Sequence, residues 1–218
     1  TIFISETDDI TVDTVSVSVT QMNADASTTV ITDAAQSDLT TLANNGHIVL
    51  STANGSIVIN EGLDNDTGIS AHGAGNILLD ANGTGNDIIV NADIQSSTGH
   101  VTLTAADAIN VNADILTASS GTISIDAQGS DLIMAGVTNI TATDSSVRLQ
   151  AANSIILGNV TAMDVSVVAD TGNIINAAGS TMNVTAMNLR LTADDAIATN
   201  TRQLTTTVDT LSAFSTGT

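Results

Sequence analysis

The most regular feature of this sequence is a short alternation of apolar and polar residues that returns about every 22 positions. Residues 75–81 read GNILLDA, and related segments occupy residues 99–105 and 121–127. Such alternation is typical of half-buried β-strands, and the segments are too short for helices. The apolar anchors of this first track are Leu79, Leu103, Ile125, Leu149, Val167 and Leu191.

Two further apolar tracks run in parallel with the first. The second consists of Ile88, Ile109, Leu132, Ile155, Ile174 and Ile197. The third consists of Ile94, Ile115, Val137, Val160, Val184 and Leu204. A coil of about 22 residues cannot close a core alone, but stacked coils bury their apolar columns against one another. The sequence therefore predicts an all-β fold, a parallel right-handed β-helix with roughly 22 residues and three short strands per coil.

The alternative is an antiparallel sandwich or a pair of small β domains, which are also rich in short strands. Those folds do not need three apolar tracks in matched register. We therefore predict a single β-helical unit over residues 1–218, with regular coils over 46–218 and a less regular region over 1–45. In that region, residues 10–12 and 15–19 are predicted strands without an assigned face. Roughly ten coils would make a rod about 45–50 Å long.

Composition and charge narrow the function. The chain contains 34 Thr, 20 Asn and 21 Asp but no Pro, Cys or Lys, and its net charge is −20. The mean hydropathy of +0.28 argues against intrinsic disorder. Nucleic-acid binding is excluded as a function, because a phosphate backbone needs more cations than three Arg residues. No apolar run approaches the roughly 20 residues that span a bilayer, so we predict no membrane insertion.

The two ends of the chain suggest an array. Placed tail to head, residues 215–218 and 1–6 read STGT followed by TIFISE, which resembles GSIVINE at 55–61. A lone solenoid must cap its open edges, and neither end carries a charged or amphipathic cap. We therefore predict one unit of a tandem or end-to-end array whose partners are copies of itself. The predicted unit–unit interface consists of Ile2, Phe3, Ile4, Leu211 and Phe214.

Several segments carry a resemblance to a known family. They are NGSIVINEG at 54–62, GISAHGAGNILL at 68–79, NLRLTA at 188–193 and LTTTVDTLSA at 204–213. They resemble the repeats of giant surface exoproteins of Gram-negative bacteria, akin to filamentous haemagglutinin and two-partner-secretion adhesins. The resemblance covers most of the chain, residues 46–218 best. It implies secretion, display at the bacterial cell surface, and a role in adhesion, biofilm or fibre formation.

An enzyme is the second hypothesis, because some β-helix proteins cleave polysaccharides with clustered carboxylates and a basic residue. Here the candidate basic groups are scattered, and the histidines lie near glycine turns, where a polar cap is the ordinary role. Sugar binding also generally uses aromatic platforms, and this chain has only two Phe. The residues concerned are His47, His72, His100, Arg148, Arg190 and Arg202. We therefore predict a protein that is not an enzyme, with a polysaccharide-processing or sugar-binding module as the alternative.

Calcium is the one candidate cofactor. Asp64 and Asp66 offer hard oxygen ligands, and the repeated Asn-Ala-Asp-Ile motif would stack Asp93 and Asp114 one coil apart. Stacked like charges repel, so a cation there would help. The alternative is a solvated acidic turn with Asn side chains bonding along the stack. A Ca²⁺-dependent assembly element is thus the third functional hypothesis.

Taken together, these features favour a non-enzymatic structural and adhesive module of an extracellular filament or giant bacterial surface protein. Its units would stack end to end into a stiff acidic rod for adhesion or biofilm matrix. The predicted partners are copies of itself and cell-surface glycans. The predicted location is extracellular, at the bacterial surface.

Overall fold

The chain winds into an all-β solenoid. The computed structural model describes residues 1–63 and 66–217, and no helix among them is long and apolar enough to cross a bilayer. Outside one hairpin the strands pair in parallel, so the predicted parallel β-helix is confirmed. The strands are β1 (Ile2–Glu6), β2 (Ile10–Val12), β3 (Ser18–Met22), β4 (Thr28–Thr32), β5 (Leu39–Thr40), β6 (Ile48–Thr52), β7 (Ile57–Ile59), β8 (Thr67–Ala71), β9 (Ile77–Ala81), β10 (Ile88–Val90), β11 (Asp93–Ser96), β12 (Val101–Ala105), β13 (Ile109–Val111), β14 (Ile115–Thr117), β15 (Ile123–Ala127), β16 (Leu132–Met134), β17 (Asn139–Ala151), β18 (Ile155–Leu157), β19 (Asn159–Ala169), β20 (Ile174–Asn176), β21 (Val184–Ala193) and β22 (Thr206–Ser215).

These strands stack into three faces. Face 1 contains β1, β6, β9, β12, β15 and the second halves of β17, β19, β21 and β22. Face 2 contains β2, β7, β10, β13, β16, β18 and β20. Face 3 contains β5, β8, β11, β14 and the first halves of the same four long strands. The nine levels of face 1 span about 38 Å, one level fewer than predicted.

The inward side chains form continuous aliphatic columns. In face 1, Leu79 pairs with Leu103 at the middle of the strand, and the column passes in register through every anchor of the first predicted track. The second track is confirmed in face 2, where its last member, Ile197, joins Ile174 through an isolated bridge. The anchors of the first track are all buried, so these columns supply the core that no single coil could close.

The third predicted track is correct up to Ile115 and wrong at the next coil. Val137 is 78% exposed, and Ile140 pairs with Ile115 in its place. The anchor therefore lies three residues later than predicted, and the corner between Met134 and Ile140 is two residues longer than the corner between Val111 and Ile115. Asn139 aligns the new coil, because its backbone N–H donates to Asp114 Oδ1 at 2.7 Å.

The third track is wrong again in the last coil. Leu204 was expected beside Val184, but Thr206 pairs with Val184. Leu204 instead packs partly buried against the core from the preceding loop.

Faces 3 and 1 of a coil are formed by separate strands where a glycine lies at the turn between them. In the earlier coils a glycine stands at the turn between them, at Gly46, Gly75, Gly99 and Gly121. These glycines stack so closely that a Cβ on Gly75 would lie 2.2 Å from the Gly46 carbonyl oxygen. The later coils have TDSS at 143–146 and no glycine there, and the two faces merge into β17, which has 13 residues. Three short strands per coil therefore describe the coils before β17 only.

The first coil carries an antiparallel hairpin. The predicted strand at 10–12 is confirmed as β2, whereas the strand predicted over 15–19 begins only at Ser18, as β3. β3 pairs with β4, and Val15 bridges Gln36 at the base of the hairpin. The turn contains Ala26 at φ +67°, and Asp25 Oδ1 accepts the Ser27 hydroxyl at 2.6 Å. Residues 13–38 are thus an insertion between faces 2 and 3 of the first coil.

Candidate functional site

Polar residues just before the strands form ladders along the rod. In these ladders a side chain accepts a hydrogen bond from the backbone N–H of the equivalent residue in the next coil. Before face 2, Asp9 Oδ1 accepts from the Ser56 N–H at 2.7 Å, and Asp87 Oδ1 accepts from the Ala108 N–H at 2.9 Å. The same contact recurs further along the same corner at Asp131, Ser154 and Asn173. Part of the acidic composition is therefore structural, because these carboxylates satisfy corner amides that lie outside the strands.

Three of the four predicted metal residues, Asp66, Asp93 and Asp114, belong to the corresponding ladder before face 3. Asp66 contributes its carbonyl oxygen, which accepts from the Asp93 N–H at 2.7 Å. The Asp93 carboxylate accepts from the Asp114 N–H at 2.8 Å. The Asp114 carboxylate in turn accepts from both the backbone and the side-chain amide of Asn139, at 2.7 and 3.2 Å. The prediction that Asp93 and Asp114 stack one coil apart is confirmed.

The pKa of the Asp93 carboxyl is raised above its usual value. Burial is the main cause, and the nearby carboxylates of Asp114 and Asp66 add to the rise, while the Asp114 N–H opposes it. These three residues and Glu61 line an open groove of about 350 Å³. The groove therefore concentrates negative charge in the first half of the rod.

Calcium binding by this groove stays a prediction. Asp64, the fourth predicted ligand, lies outside the described residues. Within the described part of the chain, no three His, Cys, Asp or Glu side chains come close enough together to hold one ion. In this groove the carboxylates of Asp93 and Asp114 already accept backbone hydrogen bonds.

Two of the three histidines are ladder residues as well. His47 Nδ1 accepts from the Asn76 N–H at 3.0 Å, and His100 Nδ1 accepts from the Thr122 N–H at 3.2 Å. His72 donates its backbone N–H to the Thr41 hydroxyl at 3.0 Å. These contacts give His47 and His100 the same role in face 1 that the aspartates have in face 2.

The arginines donate to neutral acceptors. Arg190 contacts the Ser166 hydroxyl at 3.3 Å, one coil away. Arg148 donates to the Gln150 side chain, and Arg202 donates to a backbone carbonyl. These hydrogen bonds hold the arginines along the rod surface.

The predicted unit–unit interface lies at the two ends of the rod. Phe3 is 69% exposed on β1, and Phe214 is 60% exposed on β22. Ile4 and Leu211 are also well exposed, whereas Ile2 is half-buried. Among the described residues β1 pairs only with β6, and β22 only with β21, so each strand has one open edge. An open strand edge offers unpaired N–H and C=O groups to another strand.

The resemblance of residues 1–6 to residues 55–61 predicts the wrong face for the first strand. It would place this strand on face 2, beside β7. The structure places β1 on face 1, where Ile2 pairs with Ile48. Both strands that meet at the predicted seam therefore belong to the same face.

The mouth of the rod at β1 is only partly covered. Ile4, Ile10 and Leu39 line an open cavity of about 390 Å³ together with the base of the hairpin. The face 2 side is closed, because Val12 is buried. Ile4, on face 1, is the most exposed of these inward residues, so the opening lies on the face 1 side.

Comparison of the chain with protein-family models, with curated proteins and with solved structures finds no match.

Proposed function

We propose that this chain is a non-enzymatic structural and adhesive module, a β-helical rod that associates end to end with copies of itself. In this role it would extend an extracellular filament or a large bacterial surface protein. Its work would be reach, spacing and contact.

The uneven distribution of exposed apolar side chains carries this proposal. Fifteen large apolar side chains are well exposed among the described residues, and eleven of them lie in the first coil or on β22. The rod between them has four. Six of the eleven lie on the hairpin insertion, and Phe3, Ile4, Leu211 and Phe214 lie on the two strands that have an open edge. Exposed apolar side chains on strands with open edges favour association through those strands.

The middle of the rod suits a passive spacer. Its columns of aliphatic side chains and its parallel strand ladders give each coil the same contacts above and below. The net charge of −20 opposes side-by-side collapse of neighbouring rods. Growth along the rod axis is then favoured over lateral aggregation.

Adhesion would follow from repetition. A filament presents the same surface once per unit, so weak contacts to cell-surface glycans add up through multivalency. The hairpin, which carries Val17, Val19 and Val30 in exposed positions, is the most prominent surface that each unit would display.

The test is sedimentation velocity and electron microscopy of the purified chain at rising concentration. We expect rods that lengthen in steps of about 43 Å, the height of nine strand levels. The Phe3→Asp variant places a charge at one end and should shift the association to at least tenfold higher concentration.

The matched control is Val137→Asp, which charges a similarly exposed side chain in the middle of the rod. It should leave association unchanged. A chain that stays monomeric at every concentration, or equal effects of the two variants, would contradict the proposal. Repeating the series with EDTA and with Ca²⁺ tests the calcium hypothesis, since a calcium-dependent joint dissolves in EDTA.

A further inference from the structure

We propose that the joint between two copies is a single parallel strand pair, β22 of one copy against β1 of the next, in the register of the face 1 columns. This inference builds on the proposed function and adds which residues meet. The second half of β22, residues 211–215, would become the level of face 1 directly before β1.

The inward columns fit in this register. Leu211 continues the column that contains Leu189, and Ile2 begins the column that contains Ile48. Pairing in register places Leu211 on Ile2 of the next copy. It also places Ala213 on Ile4, the inward side chain that is left most exposed at the mouth. The joint would thus cover the open side of the cavity with apolar side chains.

The outward side chains fit as well. Phe3 would lie beside Ser212, and Phe214 beside Ser5, so each exposed ring would meet a small side chain on the neighbouring strand. Both rings would lose water-exposed area without a clash, which is the arrangement that strand pairs favour.

Other registers are less favourable. A slide of two residues keeps the same side chains inward, because side chains alternate along a strand. In one direction it places the Glu6 carboxyl against Ala213, and in the other it places the Ser215 hydroxyl against Ile4. Either slide brings a polar group to an apolar column, which costs free energy.

The number of strands in each face also supports a joint on face 1. Among the described residues face 1 has nine levels, whereas face 2 has seven strands and the bridge at Ile197. The second half of β22 is therefore a level of face 1 that has no counterpart on face 2 among the described residues. At the opposite end the hairpin base covers the face 2 side of the mouth. The additional face 1 level at one end would therefore meet the open face 1 side of the mouth at the other end.

The joint connects separate copies. If two copies were fused directly head to tail, only four residues would connect Ser215 of one copy to Ile2 of the next. Along the chain, however, two successive levels of the same face are separated by a full coil. In the regular coils the equivalent path, from Ala81 at the end of β9 to Val101 at the start of β12, has 19 residues. A fusion with no residues between the two copies is therefore too short for this joint, and the proposed partner is a second copy of this chain.

Disulfide cross-linking tests the register, since the chain has no cysteine of its own. The Ser5→Cys/Phe214→Cys variant brings two Cα atoms to about 4.8 Å across the joint, within the range of a disulfide. Phe3→Cys/Ser212→Cys is a second pair in the same register. The control, Ser5→Cys/Ser212→Cys, is offset by two residues, with Cα atoms about 8 Å apart. Positions 5 and 214 lie at opposite ends of one copy, so every cross-link is intermolecular.

After mild oxidation we expect both in-register pairs to give a ladder of covalent oligomers, at least tenfold more than the control. Peptide mapping should recover the 5–214 and 3–212 links. More cross-linking in the offset control overturns the register. Absence of cross-links while the wild type still forms end-dependent rods overturns this joint and leaves the proposed function standing. A wild type that never associates removes both.

Discussion

The middle coils and the first coil are built from the same kind of parallel strand, but their strands differ in how many neighbouring strands they have. Between β6 and β21 the side chains of the aliphatic columns have apolar neighbours above and below, and each long strand has a partner on both edges. The first coil has a neighbour on one side only, carries the hairpin, and keeps most of the exposed apolar side chains. The comparison teaches that stability resides in the middle of the rod and the capacity for contact resides at its ends.

The sharpest test of this contrast is a pair of large-to-small substitutions in one face 1 column. Leu103→Ala should lower the free energy of unfolding by about 3–5 kcal/mol, because the cavity lies between two filled coils. Ile4→Ala, at the open mouth, should cost less than about 1 kcal/mol in the isolated chain. Denaturant unfolding measures both. Equal losses would mean that the mouth is packed as firmly as the middle.

The next largest effect concerns the stacked glycines. Gly99→Ala should destabilise by about 3 kcal/mol, because its Cβ would meet the Gly75 carbonyl oxygen at 2.1 Å. Gly85→Ala is the matched comparison, since no atom lies within 4 Å of its Cβ although φ is +78°. Its expected cost is about 1 kcal/mol, the strain of a left-handed residue. The order of the two melting temperatures decides whether stacking or backbone freedom dominates.

A smaller effect is expected at the corner between faces 2 and 3, just before β21. Asn183 is fully buried; its amide donates to the Leu157 carbonyl at 2.7 Å and its oxygen accepts from the Thr205 N–H at 3.0 Å. Asn183→Ala should cost about 2 kcal/mol, because buried polar partners lose their hydrogen bonds. Asn188→Ala, at an exposed position in β21, should cost about 0.5 kcal/mol or less. Thermal unfolding of the two variants provides the comparison.

The smallest expected effect concerns how stability depends on pH, because Asp93 and Asp13 should change it in opposite directions. The pKa of Asp93 is raised above 3.8 by burial, so its ionised form opposes folding at neutral pH, and that penalty fades as pH falls towards 3.8. Asp93→Asn keeps the ladder acceptor and should raise the melting temperature by about 1–2 °C at pH 7 and not at pH 3.

Asp13, in the first coil, has the opposite sign. The Thr14 N–H lowers its pKa below 3.8, and the Asn60 amide adds to the effect. Its ionised form therefore supports folding above pH 3.8, and this support is lost as pH falls through the lowered pKa. Asp13→Asn should lower the melting temperature slightly at pH 7 and have no effect near pH 2. The same sign for both variants would contradict the assignment of burial as the cause at Asp93.

The repeat in the sequence was enough to predict the fold and two of the three columns. Alternation and spacing carry that information, because an inward column needs an apolar residue at the same point of every coil. The third column failed at Val137 because spacing alone cannot detect a corner that is two residues longer than the one before it. A polar residue directly before the apolar anchor, as in Asp114-Ile115 and Asn139-Ile140, was the signal that could have located it.

The ends were harder to predict. Residues 15–19 alternate as a strand should, but their partner on β4 lies across a polar turn that has no counterpart in the repeat. The face of β1 was also missed, because a short Ile-x-Ile strand fits any face by pattern. The interface residues could be named from their position at the seam, whereas the ladder role of the aspartates and histidines requires knowledge of which amide lies one coil away.

The ladders also give the rod a direction. In each of the hydrogen bonds from Asp9 to Asn173 the acceptor belongs to the earlier coil and the donor to the later one. Each finished coil thus presents a row of lone pairs that the incoming coil must match with its amides. Each coil can then serve as a template for the folding of the next coil. An assembly of such units would be a polar polymer whose two ends present different hydrogen-bonding groups to the next unit.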